Sequence, residues 1–341
     1  MKKILLFAAC LFLAISNGFS QDFDFSFTEN YKVSLPARLA ITTSDGNINV
    51  VPSTGDEIKV YYIATKMGKV LDINREELEE ELELDVSHSG NSLEITVSHD
   101  FSDSWLDWKN RVDVSFVIYT PAETAAILHT SDGNISLSGL ASEQECKTSD
   151  GNINISDING RTTGTTSDGN INAKNISGNL YVRTSDGNIS LDHVVGDLES
   201  TTSDGNILLN NINGDIRAVT SDGNIRVTSA KGTTSAKTSD GDISFEELSG
   251  SLIAITSDGN ISGNIDHLEK ELIAKTSGGN IHISIPDRLG LDLDIDAESV
   301  DVPLRNFSGE SDDESVHGQI NGGGITVNLD ASDGNVSLVY R

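Results

Sequence analysis

Thr130-Ser131-Asp132-Gly133-Asn134-Ile135 returns at an unvarying interval along most of this 341-residue chain. Ser-Asp-Gly begins at Ser131, Ser149, Ser167, Ser185, Ser203, Ser221, Ser239 and Ser257, each step being 18 residues. Looser copies begin at Ser44, Ser277 and Ser332. A fixed short period in a turn-rich, β-rich sequence specifies a solenoid, because a unit this small can bury its apolar edge only on its neighbours. The expected fold is all-β: a right-handed parallel β-solenoid (β-helix) with 18-residue coils, irregular N-terminal coils and a C-terminal cap. The hand follows from the crossover rule for parallel strands. At ~4.8 Å per coil, the eight regular coils would stack to roughly 38 Å.

Counting from the Ser as position 0, position +4 is Ile in all eight copies, from Ile135 to Ile261. Position +6 is mostly apolar and +5 mostly polar, the alternation of a strand with one buried face. Position +9 is apolar again, and +11 is Gly in six successive units, Gly160 to Gly250, which suits a corner needing positive φ. Positions +13 and +15 are apolar or small, and +17 is Thr from Thr148 to Thr256. By parity the threonines point inward with +13 and +15. Asp-Gly then makes the second corner, with Asp bonding its own backbone two residues on and Gly accepting the left-handed turn.

Four stretches follow from these patterns. Residues 1–20 read as a secretory signal peptide: Met1-Lys2-Lys3, an apolar run from Ile4 to Ile15, then Gly18-Phe19-Ser20 before Gln21. Cys10 after Ala8-Ala9 raises a lipid anchor as the lesser alternative. Residues 21–128 form an irregular β-rich N-terminal part of the solenoid. An acidic helix is expected at Asn74 to Glu81, and a loop from Ser102 to Asn110 holds Trp105 and Trp108. Residues 129–285 are the regular coils, and residues 286–341 are C-terminal coils and cap. No later run of 18 apolar residues exists, so no transmembrane segment is expected and the mature chain should be soluble.

The formal net charge is -30, and loss of Lys2 and Lys3 would take it to -32. Such acidity argues against nucleic acid and anionic membrane surfaces as partners. Beyond Cys10 the one cysteine is Cys146, in the small +15 column, so no internal disulfide is expected and Cys146 reads as core.

The turn ladder is the most conspicuous candidate site: Asp132, Gly133, Asn134; Asp150, Gly151, Asn152; Asp168, Gly169, Asn170; Asp186, Gly187, Asn188; Asp204, Gly205, Asn206; Asp222, Gly223, Asn224. Carboxylates ~4.8 Å apart in water repel by about 1 kcal/mol per pair, which turn hydrogen bonds can offset. A calcium ladder is the alternative, but the Gly-Gly-x-Gly-x-Asp motif of calcium β-rolls is absent. The reading is thus structural, with no metal or other cofactor expected. The Asn column reads as a side-chain hydrogen-bond ladder broken only by Asp242. Ice binding needs outward threonines, and these point inward. The seven histidines lack His-x-x-x-His or His-Glu-x-x-His spacing, and no column concentrates the acid and base groups of a lyase. An enzyme is not expected. Trp105 and Trp108 are candidate binding residues, as a platform for a sugar ring, or they seal an open coil end.

The signal peptide, the Trp-x-x-Trp loop and the reiterated Thr-Ser-Asp-Gly-Asn-Ile coils resemble the adhesin-like family of bacterial domains of unknown function. The resemblance spans roughly Tyr31 to Arg341. It implies an envelope or surface β-solenoid and supplies no catalytic residues. The expected function is an exported, non-catalytic adhesin-like or scaffolding surface, located in the periplasm, on the outer-membrane surface or outside the cell. Its partner would be a protein or glycan surface. The alternatives are a carbohydrate-binding or carbohydrate-active β-helix protein and a periplasmic sensor or assembly partner.

Overall fold

The computed structural model describes residues 23–98 and 111–341. Over these, 27 strands join in one continuous hydrogen-bonded sheet, with one five-residue helix, Arg75–Glu79. That helix starts where expected: Asn74 caps it, its side chain accepting from the Glu77 amide while the Glu77 carboxylate accepts from the Asn74 amide.

The regular coils supply two strands each as far as Val219, and after it the two run together as one, Ile225–Lys237 and Ile243–Ile255. Ile153–Asn159 and Thr162–Thr165 form one coil, and Ile171–Ser177 and Leu180–Arg183 the next. Equivalent strands pair in parallel and in register, Ile153 opposite Ile171 and Thr162 opposite Leu180. Like side chains therefore stack on like. The isoleucines at +4, from Ile135 to Ile261, are all buried, as are the apolar residues at +6, +9, +13 and +15. Burying each such side chain stabilises the fold by about 1.5–3 kcal/mol.

Alternation alone cannot put both +6 and +9 inside, since they differ in parity. The residue at +8 resolves this by adopting left-handed backbone: Asp157, Asn175, His193, Asn211, Ser229 and Glu247 all have φ of 55–56°. This bulge turns the next side chain inward. Three residues on, Gly178, Gly196, Gly214, Gly232 and Gly250 have φ of 128–155°, as the +11 corner requires. Gly160, the first of that column, lies outside the left-handed region.

The second corner is built differently from the expectation. None of the Ser-Asp-Gly glycines has left-handed backbone; their missing Cβ is needed for close approach instead. A Cβ on Gly187 would lie 1.9 Å from the Gly169 carbonyl oxygen, and the same contact recurs at each coil from Gly133 to Gly259. Nor does Asp hold the turn, because its side chain caps no backbone amide there. Thr does: the Thr202 hydroxyl is shared between the Ser185 and Gly187 carbonyls of the coil before, at 3.0 Å each, and accepts from Gly205 N–H at 3.3 Å. The arrangement repeats from Thr130 through Thr276.

Both ends depart from simple coil order. At the N-terminal end, Ala37–Thr42 and Ile48–Ser53 form a coil that lies between two later ones. Ser92–Ser98 and Val112–Pro121 pack on one side, and Thr124–His129 and Ile135–Ser138 on the other. Antiparallel strands then close the edges: Glu57–Lys66 on Val112–Pro121, Phe27–Lys32 on Glu57–Lys66, and Glu83–Ser89 on Ser92–Ser98. Contacts of the half-buried Glu29 pin this cap. Its carboxylate accepts from Tyr62 at 3.0 Å and from Tyr31, and pairs with Arg75 at 3.3 Å. Burial and Glu29 together push the Tyr31 phenol up to about 12.

At the C-terminal end, Ile325–Tyr340 slots between the coil of Ile261–Thr276 and Ile281–Ile285 and the outer strand Leu291–Asp301. The antiparallel pair Ser315–Ile320 and Phe307–Ser311 covers that outer strand. Caps of this kind cover the edges of the end coils, which would otherwise invite further strand pairing.

Two buried hydroxyls in one coil make a direct test. Ser200 is buried in the +15 row between Val182 and Ala218 with no partner for its Oγ, whereas Thr202 is fully bonded. In urea unfolding, Ser200→Ala should raise stability by up to about 1 kcal/mol, and Thr202→Val should lower it by about 1–3 kcal/mol. Equal effects of the same sign would refute the assigned role of the Thr row.

Candidate binding surfaces

The turn ladder occupies one long ridge. Along it each Gly is buried, while the Asp and Asn residues on either side face solvent or are only partly covered. Successive asparagines are joined: Asn152 donates from its backbone N–H (2.8 Å) and Nδ2 (3.1 Å) to the Asn134 Oδ1. The ladder continues coil by coil from Asn47 to Asn280 and then to Asn335, with both bonds at every step except onto Asp242, where the backbone N–H alone donates to the Asn224 Oδ1 at 2.8 Å. Asp242 stands in the row without interrupting it, because its carboxylate accepts from both nitrogens of Asn260. The row thus places the coil of Asn335 directly after that of Asn280.

The Asp row is of another kind. Its carboxylates make no side-chain hydrogen bond to a backbone amide. Burial and the close Asp45 carboxylate push Asp132 above the usual carboxylate range. Calcium takes six to eight oxygen ligands. Among the described residues no three carboxylates of this row lie within 4.8 Å of one another.

The outward face of the first strand column is a shallow open groove of about 460 Å³. Its floor is a row of short neutral hydrogen-bonding side chains, Asn49, Ser136, Asn154, Asn172 and Ser190, one per coil. One rim carries Lys174 and Asp192, with Asp192 held below the usual carboxylate range by Asn211 and His193. The opposite face has a second groove of about 360 Å³ around Tyr181, Glu199 and Arg217. Arg161 lies over the Tyr181 ring at 5.0 Å. The sequence marks these outward positions only as polar or irregular; their continuity across coils comes from the in-register stacking.

At the C-terminal cap, antiparallel pairing sets His317 opposite Asp294. The imidazole lies between two carboxylates, Nδ1 3.0 Å from Asp294 and Nε2 3.4 Å from Asp296. Among the described residues this is the one grouping of three metal-ligand side chains, and all three are exposed. Both ring nitrogens already face carboxylates, so the cluster is accounted for by exposed contacts within itself, which contribute about 0–1 kcal/mol. Sequence spacing does not bring these residues together, since 23 positions separate Asp294 from His317. Trp105 and Trp108 lie outside the described residues, in the connection from Ser92–Ser98 to Val112–Pro121.

Cys146 is fully buried, and burial, reinforced by Glu145, pushes its thiol up to about 12. That is the chemistry of an inert core residue.

The stacked in-register strands and near absence of helix define an all-β protein of solenoid-like form. The Toastrack DUF4097 family matches residues 37–239 and again 220–339, and the chain belongs to it. Two solved structures are similar. One is a candidate cell adhesion protein from Clostridium sporogenes, 13% identical, with 92% of this chain and 99% of that chain covered and a TM-score of 0.20. The other is a candidate lipid binding protein from Parabacteroides distasonis, 13% identical, covering 91% and 96%, with a TM-score of 0.29. None of the curated proteins compared with the chain matches it.

Two measurements follow. The raised Asp132 means that the folded chain binds a proton more readily there than the unfolded chain, so this carboxylate's contribution to stability falls as pH rises through its native pKa. Asp132→Asn should therefore raise the melting temperature at pH 7, with the gain vanishing once acid protonates the wild-type side chain. A gain of the same size at low pH would contradict this origin. Added calcium should leave the melting temperature unchanged, and a concentration-dependent rise would show a bound ion instead.

Proposed function

We propose that this chain is an exported, non-catalytic protein of the cell envelope that presents a repeated surface to a partner, in an adhesin-like or scaffolding role. The observation that carries the reading is the groove floored by Asn49, Ser136, Asn154, Asn172 and Ser190. One small neutral donor–acceptor group per coil offers many equal weak contacts. Binding to such a surface gains strength by avidity rather than from one deep pocket. Export is supported by the basic and apolar start of the sequence. Among the described residues no helix is long and apolar enough to cross a membrane. The coils wind to the right in this reading, by the same crossover preference that governs other parallel strands.

A glycan partner is favoured by one specific feature, the Tyr181 ring beside Glu199 and Arg217 in the second groove. Aromatic faces bordered by polar groups suit sugar rings. In that case Tyr181→Ala, or the pair Trp105→Ala and Trp108→Ala, should abolish glycan binding while the chain stays folded.

Placement is tested by protease treatment of intact cells followed by immunodetection of the chain. Loss of signal from intact cells is the expected result. Protection until the outer membrane is opened would place the protein in the periplasm and replace adhesion with a sensing or assembly role.

A further inference from the structure

The C-terminal end holds a cationic pocket in acidic surroundings. After Lys275 the sequence has three basic residues, Arg288, Arg305 and Arg341, against twelve carboxylates. Two of those three, Arg288 and Arg305, line a single cavity of about 220 Å³ together with Asn306, Asn321 and Tyr340, and with Asp287 as its sole acid. Chance placement in this segment would surround any cavity with carboxylates, so the concentration of guanidinium groups is unusual for its setting.

The cavity is framed by hydrogen bonds among backbone and asparagine groups, none of them to a guanidinium. Asp287 N–H donates to the Arg341 carbonyl at 3.2 Å, and Arg341 N–H donates to Ile285, which ties the last strand to the turn before Arg288. Asn306 Nδ2 donates to Asn321 Oδ1 at 3.0 Å, and Asn321 Nδ2 donates to the Leu289 carbonyl at 2.9 Å. Arg288, Asn306 and Asn321 all have left-handed backbone, with φ of 63°, 52° and 52°. For the arginine this is an uncommon conformation held by its surroundings.

Against this frame three donors remain. Arg305 has no ion pair among the described residues, and Arg288 has only its neighbour Asp287, at 3.4 Å. The Tyr340 hydroxyl is buried without a hydrogen-bond partner among the described residues. A buried polar group of that kind is uncommon and calls for an acceptor. Burial also raises the Tyr340 phenol, keeping it protonated and able to donate.

We propose that this pocket binds the oxyanion head of a small ligand, a carboxylate or a phosphate, between Arg288 and Arg305, with the Tyr340 hydroxyl as a third donor. Guanidinium groups offer paired N–H donors that match both oxyanions. Leu289 and Ile320 add an apolar wall for the body of the ligand. The cavity is smaller than the roughly 300–1,000 Å³ of pockets for drug-sized molecules, so the ligand is no larger than about one sugar unit.

Calorimetric titration of the full chain with galacturonate, inorganic phosphate and neutral galactose tests the assignment. At least one of the two anions should bind with one site per chain, and galactose should not. The tighter anion identifies the head group. Arg305→Gln and Arg288→Gln should each weaken that binding about tenfold without changing the melting temperature, and Tyr340→Phe should weaken it several-fold. Failure of both anions to bind the wild-type chain, or binding that survives in the Arg288→Gln/Arg305→Gln double variant, would overturn the proposal.

Discussion

The threonine hydroxyl at the end of each coil is the contact on which the stack depends. It sits inside the corner where two successive coils come closest, so close that a Cβ on the turn glycine would meet a carbonyl oxygen at about 1.9 Å. Peptide groups pressed together there are shut off from water, and an unpaired buried amide or carbonyl costs about 1–3 kcal/mol. One hydroxyl serves the carbonyls of the coil before and an amide of its own coil, which no apolar side chain of equal size could do. Glycine allows the approach and threonine satisfies the groups the approach buries.

That coupling explains where the chain accepts irregularity. The coil from Ser257 to Thr276 is two residues longer than its predecessors, with Asn280 bonded to Asn260 across 20 positions instead of 18. The register shifts between this coil and the one before fall between Phe245 and Leu252, on the far side from the turn. The threonine and asparagine rows continue unbroken past them. Larger insertions sit at the ends, where they become the antiparallel strands that close the sheet. Repetition is strict at the corner and relaxed elsewhere because at every corner one side chain ties together backbone groups of two successive coils.

A frame held from inside leaves its outer positions free to carry function. The outward rows differ from coil to coil in charge and size, and the surfaces described above, the polar groove, the Tyr181 groove and the arginine pocket, are all built from them or from the terminal caps. The excess of negative charge is spread over this exterior, where like-charge repulsion opposes self-association. Within it the arginine pocket is a local reversal of sign, formed only because the last strand is threaded back beside the turn at Arg288.

The sequence by itself determined the period, the inward rows from Ile135 to Ile261, the inward threonines and the glycine corner at Gly178 to Gly250. Each of these is a local pattern repeated at fixed spacing, so the pattern on one coil predicts the contacts with the next. It pointed to Asp as the residue that holds the turn, where the structure has Thr, because Asp and Thr both form turns with nearby amides and only the spacing between coils decides which one is enclosed. The left-handed residue at +8 was also hidden, since Asp, Asn, His, Ser and Glu fill that position and share no side-chain property. Tertiary structure alone decided the order of coils at the two ends, the meeting of His317 with Asp294 and Asp296, and the convergence of Arg288, Arg305 and Tyr340. These depend on pairing between strands far apart in the chain, where no repeat ties one residue's position to another's.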